Sequence, residues 1–137
     1  MAESFNVEYP IRFSHCDPAG IVYFPRFFDL LHQAMEDWFT HALGERFADF
    51  IMVRKLGIPT VATKTEFLSP AKFGDMLRIE LSVSKLGRSS LTLSINSFVG
   101  ERPCFRAEHT ICVFSNESLR AVPVPDDLRE RMERYLV

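Results

Sequence analysis

Cysteine is scarce in this chain. It holds three, at positions 16, 104 and 112, so complete pairing is impossible. Cys104 and Cys112 fall eight residues apart on one expected strand, too far along it to bridge each other. A reduced, cytoplasmic protein is the natural expectation. Basic excess is also missing. The net charge is −2 and the pI is near 6.1. That argues against a general nucleic-acid binder and leaves room only for a local basic patch facing a small phosphorylated ligand. No apolar run approaches the roughly 18 residues that a membrane span needs. The opening stretch, MAESFNVEYP, has no basic segment followed by an apolar one, so no signal peptide and no membrane partner are expected. Repeats, low-complexity tracts and linkers are absent, and 137 residues suit one domain over 1–137.

What is abundant is phenylalanine. Thirteen of them predict an aromatic-rich core or an apolar pocket. Residues 5–14 alternate, with Val7, Tyr9, Ile11 and Phe13 on one face, which predicts a strand. A helix is predicted from Pro25 to Leu43. Pro25 suits a first helical turn and Gly44 suits a stop. Its apolar residues come in pairs (Phe27/Phe28, Leu30/Leu31, Ala34/Met35, Trp38/Phe39), giving a wide stripe that belongs against a sheet. Residues 45–55 predict a second short helix. Strands are predicted over 60–68, 75–86, 89–99 and 103–114, with short links at Leu86-Gly87-Arg88 and Gly100–Arg102. Pro125-Asp126-Asp127 starts a terminal helix with Leu128, Met132 and Leu136 on one face. The order is α+β, an antiparallel sheet packed on a helix.

The chemistry gathers at His15-Cys16-Asp17-Pro18-Ala19-Gly20. Asp, Pro and Gly are ordinary turn residues. The following Ile21-Val22-Tyr23-Phe24 is too apolar for a solvent loop, and it leads into the buried helix. A carboxylate beside a helix N-terminus and an apolar pocket suits acyl transfer. Unpaired helix amides stabilise a developing oxyanion. The carboxylate attacks the carbonyl or activates water.

The run His15-Cys16-Asp17-Pro18-Ala19-Gly20-Ile21-Val22-Tyr23-Phe24-Pro25 resembles the signature of the 4-hydroxybenzoyl-CoA thioesterase family of hotdog proteins. Weaker similarity extends through Gly57-Ile58-Pro59, Phe73-Gly74-Asp75 and Leu119-Arg120-Ala121. The resemblance implies a hotdog fold: a five-stranded antiparallel sheet wrapped around a long helix, with a short C-terminal helix here. It implies homodimers, often homotetramers, with active sites at the dimer interface and no metal or bound cofactor. It implies acyl-CoA hydrolysis, with Asp17 as the catalytic carboxylate and the Phe24 backbone N–H polarising the thioester carbonyl. CoA contacts fall on Lys85, Arg88, Ser89 and Ser90 around the central hairpin, supplied by a neighbouring subunit, and on Arg120. His15 and His32 replace acidic residues of the characterised aromatic-acyl enzyme, so the acyl group stays open.

Other readings are blander. Cys16 reads as a small buried residue, since neighbours on a strand point apart and His15 is poorly placed to activate it. His15, Cys16, Asp17 and His32 have no metal-ligand spacing. His109 shares a face with Phe105, Ala107, Ile111 and Val113 and reads as a packed strand residue. Asp29, Glu36 and Asp37 read as solvated helix charges, with Asp29 or Glu36 as a possible assisting carboxylate. Two alternatives to an acyl-CoA thioesterase stand: a thioesterase acting on acyl-carrier protein, and a non-catalytic acyl-CoA-binding module.

Overall fold

The computed structural model describes residues 2–137. Strand β1 (Phe5–Pro10) is followed by a 3-10 turn (Phe13–His15) and helix α1 (Arg26–Asp37). Helix α2 (Phe47–Met52), strand β2 (Leu56–Gly57) and strand β3 (Thr60–Phe67) come next. Then follow β4 (Met76–Leu86), β5 (Ser90–Val99), β6 (Arg102–Cys112), β7 (Phe114–Ser115), β8 (Arg120–Ala121) and helix α3 (Asp126–Met132).

Five strands form the main antiparallel sheet, in the order β1-β4-β5-β6-β3. Alternation decides which face is dry. Leu77, Ile79, Leu81 and Val83 of β4 are buried, as are Leu91, Leu93 and Ile95 of β5 and Phe105, Ala107 and Ile111 of β6. Register aligns them, with Leu81 opposite Ile95 and Ile95 opposite Ala107. Helix α1 presents Phe27, Leu30, Leu31, Ala34 and Met35 to the same core. This is the α+β order expected from the residue pattern, in the hotdog arrangement that the family resemblance implies.

Several boundaries differ from expectation. β1 ends at Pro10, and Phe13 leaves the strand face to stand 76% exposed. The long helix is regular only to Asp37. Its last turn, Trp38–Ala42, is a π-helix, and this wider turn keeps both Trp38 and Phe39 fully buried. Gly44 then takes φ +67, the left-handed conformation of a helix stop. The last main strand breaks after Cys112, and Phe114–Ser115 joins β2 and β8 in a small second sheet. Leu136 lies beyond α3 and is 41% exposed, so only Leu128 and Met132 anchor that helix. The arginines of the terminal segment have another task. Arg131 and Arg134 donate to the carbonyls of Leu43 and Ala42, satisfying acceptors at the end of the central helix.

Cys104 and Cys112 both lie on β6, and all three cysteines are free thiols. Among the described residues no helix is long and apolar enough to cross a membrane.

Candidate active site

Residues 15–23 form a small hairpin. Cys16 pairs with Val22, the Tyr23 N–H donates to the His15 carbonyl (3.0 Å), and the Asp17 N–H donates to the Ile21 carbonyl (2.9 Å). Asp17-Pro18-Ala19-Gly20 is its tip. The Asp17 Oδ1 accepts from the Ala19 N–H at 2.9 Å, an Asx-turn, so the bland turn reading holds for that oxygen. The second carboxylate oxygen has no hydrogen-bond partner among the described residues. Gly20 takes φ +78, which only glycine adopts without strain, and its carbonyl accepts from the Phe73 N–H (2.9 Å). The 71–73 segment thus braces the hairpin: Ile21 bridges Lys72, and the Val22 N–H donates to the Ala71 carbonyl. Asp75 closes the turn after this segment, its carboxylate accepting from the Lys72 N–H at 2.8 Å. Asp17 is half-buried and lines a hollow of about 410 Å³ with Phe13, Cys16, Gly20 and Phe73.

The same hairpin delivers Phe24 to the helix start. The amides here are nearly all spent. Tyr23 donates to His15, Pro25 has no N–H, and Arg26, Phe27 and Phe28 donate to the carbonyls of Tyr23, Phe24 and Pro25. The Phe24 N–H alone in this run has no acceptor among the described residues. The expectation of several free helix amides therefore narrows to one. Its side chain is 56% exposed and meets Phe67 edge-on at 5.7 Å. Phe67 also packs on Phe27 and Phe28.

Below this aromatic cluster a furrow of about 440 Å³ runs between α1 and β3. Phe28, Leu31 and Met35 form its apolar wall, and Asp29, His32, Thr60, Thr63 and His109 supply polar groups. His109 is 4% exposed. One ring nitrogen, Nε2, meets the Thr60 hydroxyl at 3.2 Å, and the buried Nδ1 has no partner among the described residues. Burial, then the neighbouring His32, pushes its pKa down, which keeps the imidazole neutral. Sequence reasoning placed His109 as a packed strand residue and singled out neither Phe67 nor Thr60. The threonine-rich pattern Thr60, Thr63, Thr65 on an edge strand was the available signal.

Cys16 is a poor nucleophile. Desolvation, then the charge of Asp17, raises its pKa, and its thiol donates to the Arg12 carbonyl. His15 does not face it. The His15 Nδ1 accepts from the Arg12 N–H, and desolvation lowers its pKa. Asp29 pairs with Arg26, and Glu36 holds His32 at 3.0 Å.

Lys85, Arg88, Ser89 and Ser90 do cluster at the β4–β5 hairpin. Arg120 sits apart on β8, paired with Ser115. None of them approaches Asp17 within one chain. β4 begins at Met76 beside the Asp17 end, where the Ile11 N–H donates to the Asp75 carbonyl, and it ends at Leu86 beside the cations. Its eleven residues separate the two groups by about 35 Å at strand rise.

The comparisons decide the family. The Thioesterase-like superfamily matches residues 11–132. 4-Hydroxybenzoyl-CoA thioesterase of Pseudomonas sp. strain CBS-3 is 30% identical over 138 aligned positions, covering 95% of this chain and 98% of that protein. The chain belongs to the 4-hydroxybenzoyl-CoA thioesterase family. It is a hotdog thioester hydrolase of the acyl-CoA type. A 1,4-dihydroxy-2-naphthoyl-CoA hydrolase of Synechococcus elongatus is 27% identical over 124 positions, 90% of each chain. Among solved structures, an Asp-to-Asn variant of 4-hydroxybenzoyl CoA thioesterase, in complex with 4-hydroxybenzoyl CoA, superposes with a TM-score of 0.83 at 27% identity. It covers 96% of this chain and 99% of its own.

Proposed function

We propose that this enzyme cleaves an aromatic acyl-CoA to the free acid and CoA, with Asp17 as its catalytic carboxylate. The observation that carries the reading is the unspent Phe24 N–H on the hairpin that also carries Asp17. The N–H donates to the thioester carbonyl as negative charge builds on its oxygen. The free oxygen of Asp17 either attacks the carbonyl carbon, expelling the CoA thiolate and leaving an acyl–Asp17 anhydride that water then hydrolyses to the acid, or takes a proton from a water that attacks the carbonyl and expels the thiolate directly. Trapping with hydroxylamine separates the routes: an acyl-enzyme is captured only if Asp17 attacks.

The furrow below Phe24 takes the acyl group. Phe28, Leu31 and Met35 suit an aromatic ring, and the Thr60 hydroxyl beside neutral His109 suits a polar substituent on it. Relatives named for 4-hydroxybenzoyl and 1,4-dihydroxy-2-naphthoyl thioesters support this class. CoA phosphates are gripped by Lys85 and Arg88, with Ser89, Ser90 and Arg120 adding donors. Given the separation along β4, those groups come from a second copy, in a homodimer that pairs into a homotetramer. The exposed aromatic rim of Phe13, Tyr23, Phe24 and Phe73 is an apolar surface that such assembly would cover. No metal or bound cofactor enters this scheme, and a cytoplasmic setting suits free thiols.

The test is thiol release over benzoyl, hydroxybenzoyl, short-chain and long-chain CoA thioesters. Aromatic thioesters are expected to have the highest kcat/KM. Failure to cleave any member would contradict the reading.

A further inference from the structure

β3 and β4 are joined in sequence but are not neighbours in the sheet. Residues 68–75 therefore cross the ends of β6 and β5, about 14 Å at strand spacing. This strap forms neither helix nor strand, and its middle carries the Asp17 hairpin. The Ala71 carbonyl accepts the Val22 N–H at 2.9 Å, Lys72 bridges Ile21, and the Phe73 N–H donates to the Gly20 carbonyl at 2.9 Å. Backbone bonds hold the two ends of the strap. The Leu68 N–H donates to the Cys104 carbonyl (2.8 Å) and the Gly74 N–H to the Ile11 carbonyl (3.0 Å). The stretch between leans on Arg102, the first residue of β6. Its Nη1 donates to the Ser69 hydroxyl oxygen at 2.7 Å and to the Pro70 carbonyl at 2.5 Å, and its Nη2 lies 3.9 Å from the Asp75 carboxylate. Among the described residues, no other side chain from outside the strap donates to it.

A guanidinium holds several acceptors at set angles, because its donors lie in one rigid plane. Arg102 thus ties the strap to the end of β6 on one side, while the strap holds the hairpin on the other. That hairpin carries both Asp17 and the Phe24 N–H. A shift of about 1 Å at reacting groups costs on the order of a hundredfold in rate. We infer that Arg102 is a positioning residue for thioester cleavage: it clamps the strap whose backbone sets Asp17 against the carbonyl. This rests on the Asp17 reading above and extends the site to a residue outside both the hairpin and the furrow. Its signature is a loss in kcat and not in KM. The furrow is built from α1, β3 and β6 and the candidate CoA cations from the far hairpin, so neither depends on the strap.

The experiment is steady-state kinetics on the best aromatic CoA thioester, with amide exchange on the same folded proteins. The chains are wild type, Arg102→Ala, Arg102→Lys, Asp17→Asn and the double variant Asp17→Asn/Arg102→Ala. Arg102→Ala is expected to lower kcat about tenfold or more, with KM changed by less than about twofold. Exchange of the Val22 and Phe73 amides quickens in the same variant. Millimolar methylguanidinium restores part of its kcat, and equal concentrations of sodium chloride or urea do not. Arg102→Lys keeps the charge but not the planar fork, so its kcat falls between the two, and it serves if the alanine variant misfolds. In the Asp17→Asn background the loss of Arg102 costs less than it does alone, as for groups that act as a unit. An arginine that only stabilises the fold lowers Tm and leaves kcat of the folded protein unchanged. That result in both single variants overturns the inference and leaves Asp17 in place. So does a loss carried by KM alone, or a fall in kcat that neither lysine nor methylguanidinium relieves. If Asp17→Asn turns over as wild type does, the Asp17 reading falls and the positioning role falls with it.

Discussion

At the scale of single residues, the site depends on which polar groups are left unspent. Asp17 offers one oxygen to its own turn and keeps the other free; Phe24 offers the one N–H that the hairpin and the first helical turn leave unused. His109 shows the same economy in the core. Its neutral ring donates to or accepts from Thr60 and leaves Nδ1 without a partner. Because burial lowers its folded pKa, the unfolded chain takes up a proton first as pH falls. The protein keeps its full stability above the ordinary histidine value of about 6.5 and loses part of it below. Thermal melts at pH 7 and pH 5 check this: the drop in Tm is expected to be smaller in His109→Asn than in wild type. Arg88 gives a second prediction at this scale. Arg88→Ala is expected to raise KM for CoA thioesters about five- to thirtyfold, the loss of about 1–2 kcal/mol from one charge-assisted contact. A minimal pantetheine thioester, which lacks the nucleotide phosphates, should be unaffected. Equal effects on both substrates would remove Arg88 from the CoA site.

At the scale of elements, strand and helix order were legible because each follows a clean period. β4 and β5 alternate strictly, and α1 carries its apolar pairs every three to four residues. Asp17-Pro18-Ala19-Gly20 was legible as a turn because each residue suits one. Other features depend on distant partners, which local patterns do not encode. The π-turn at Trp38–Ala42 answers to packing, since Trp38 meets Tyr135 from the far end of the chain (5.7 Å). Phe13 keeps strand alternation and yet leaves the sheet, because β1 stops pairing at Pro10 opposite Met76. The free Phe24 N–H depends on Tyr23 pairing with His15, and the Thr60–His109 contact depends on the register of β3 against β6. Arg129 of α3 likewise reaches the carbonyls of Gly87 and Arg88 across 41 positions of sequence or more. This side chain, with the Val124 N–H on the Arg88 carbonyl, holds the hairpin tip in place. Arg129→Ala should quicken amide exchange around Gly87 and Arg88 and raise KM for CoA thioesters, with kcat little changed. A fall in kcat alone would mean the hairpin acts elsewhere.

At the scale of the whole molecule, the proposed catalytic carboxylate and the candidate CoA cations lie at opposite ends of β4. The proposed site therefore draws its carboxylate and its cations from two copies. A mixture of Asp17→Asn and Arg88→Ala chains, unfolded and refolded together, then creates hybrid pairs with one intact site. At low substrate the mixture should recover about a quarter of wild-type activity, as random pairing of two chains dictates. Activity equal to the mean of the two separate variants would place both groups in one chain. The central claim, however, is that Asp17 performs the chemistry. Asp17→Asn tests it cleanly, because asparagine keeps the Oδ1 that accepts from the Ala19 N–H and so preserves the turn. The decisive measurement is kcat for CoA release from the best aromatic thioester. The account predicts a fall of at least about a hundredfold with a little-changed KM. Equal turnover by wild type and Asp17→Asn would contradict it.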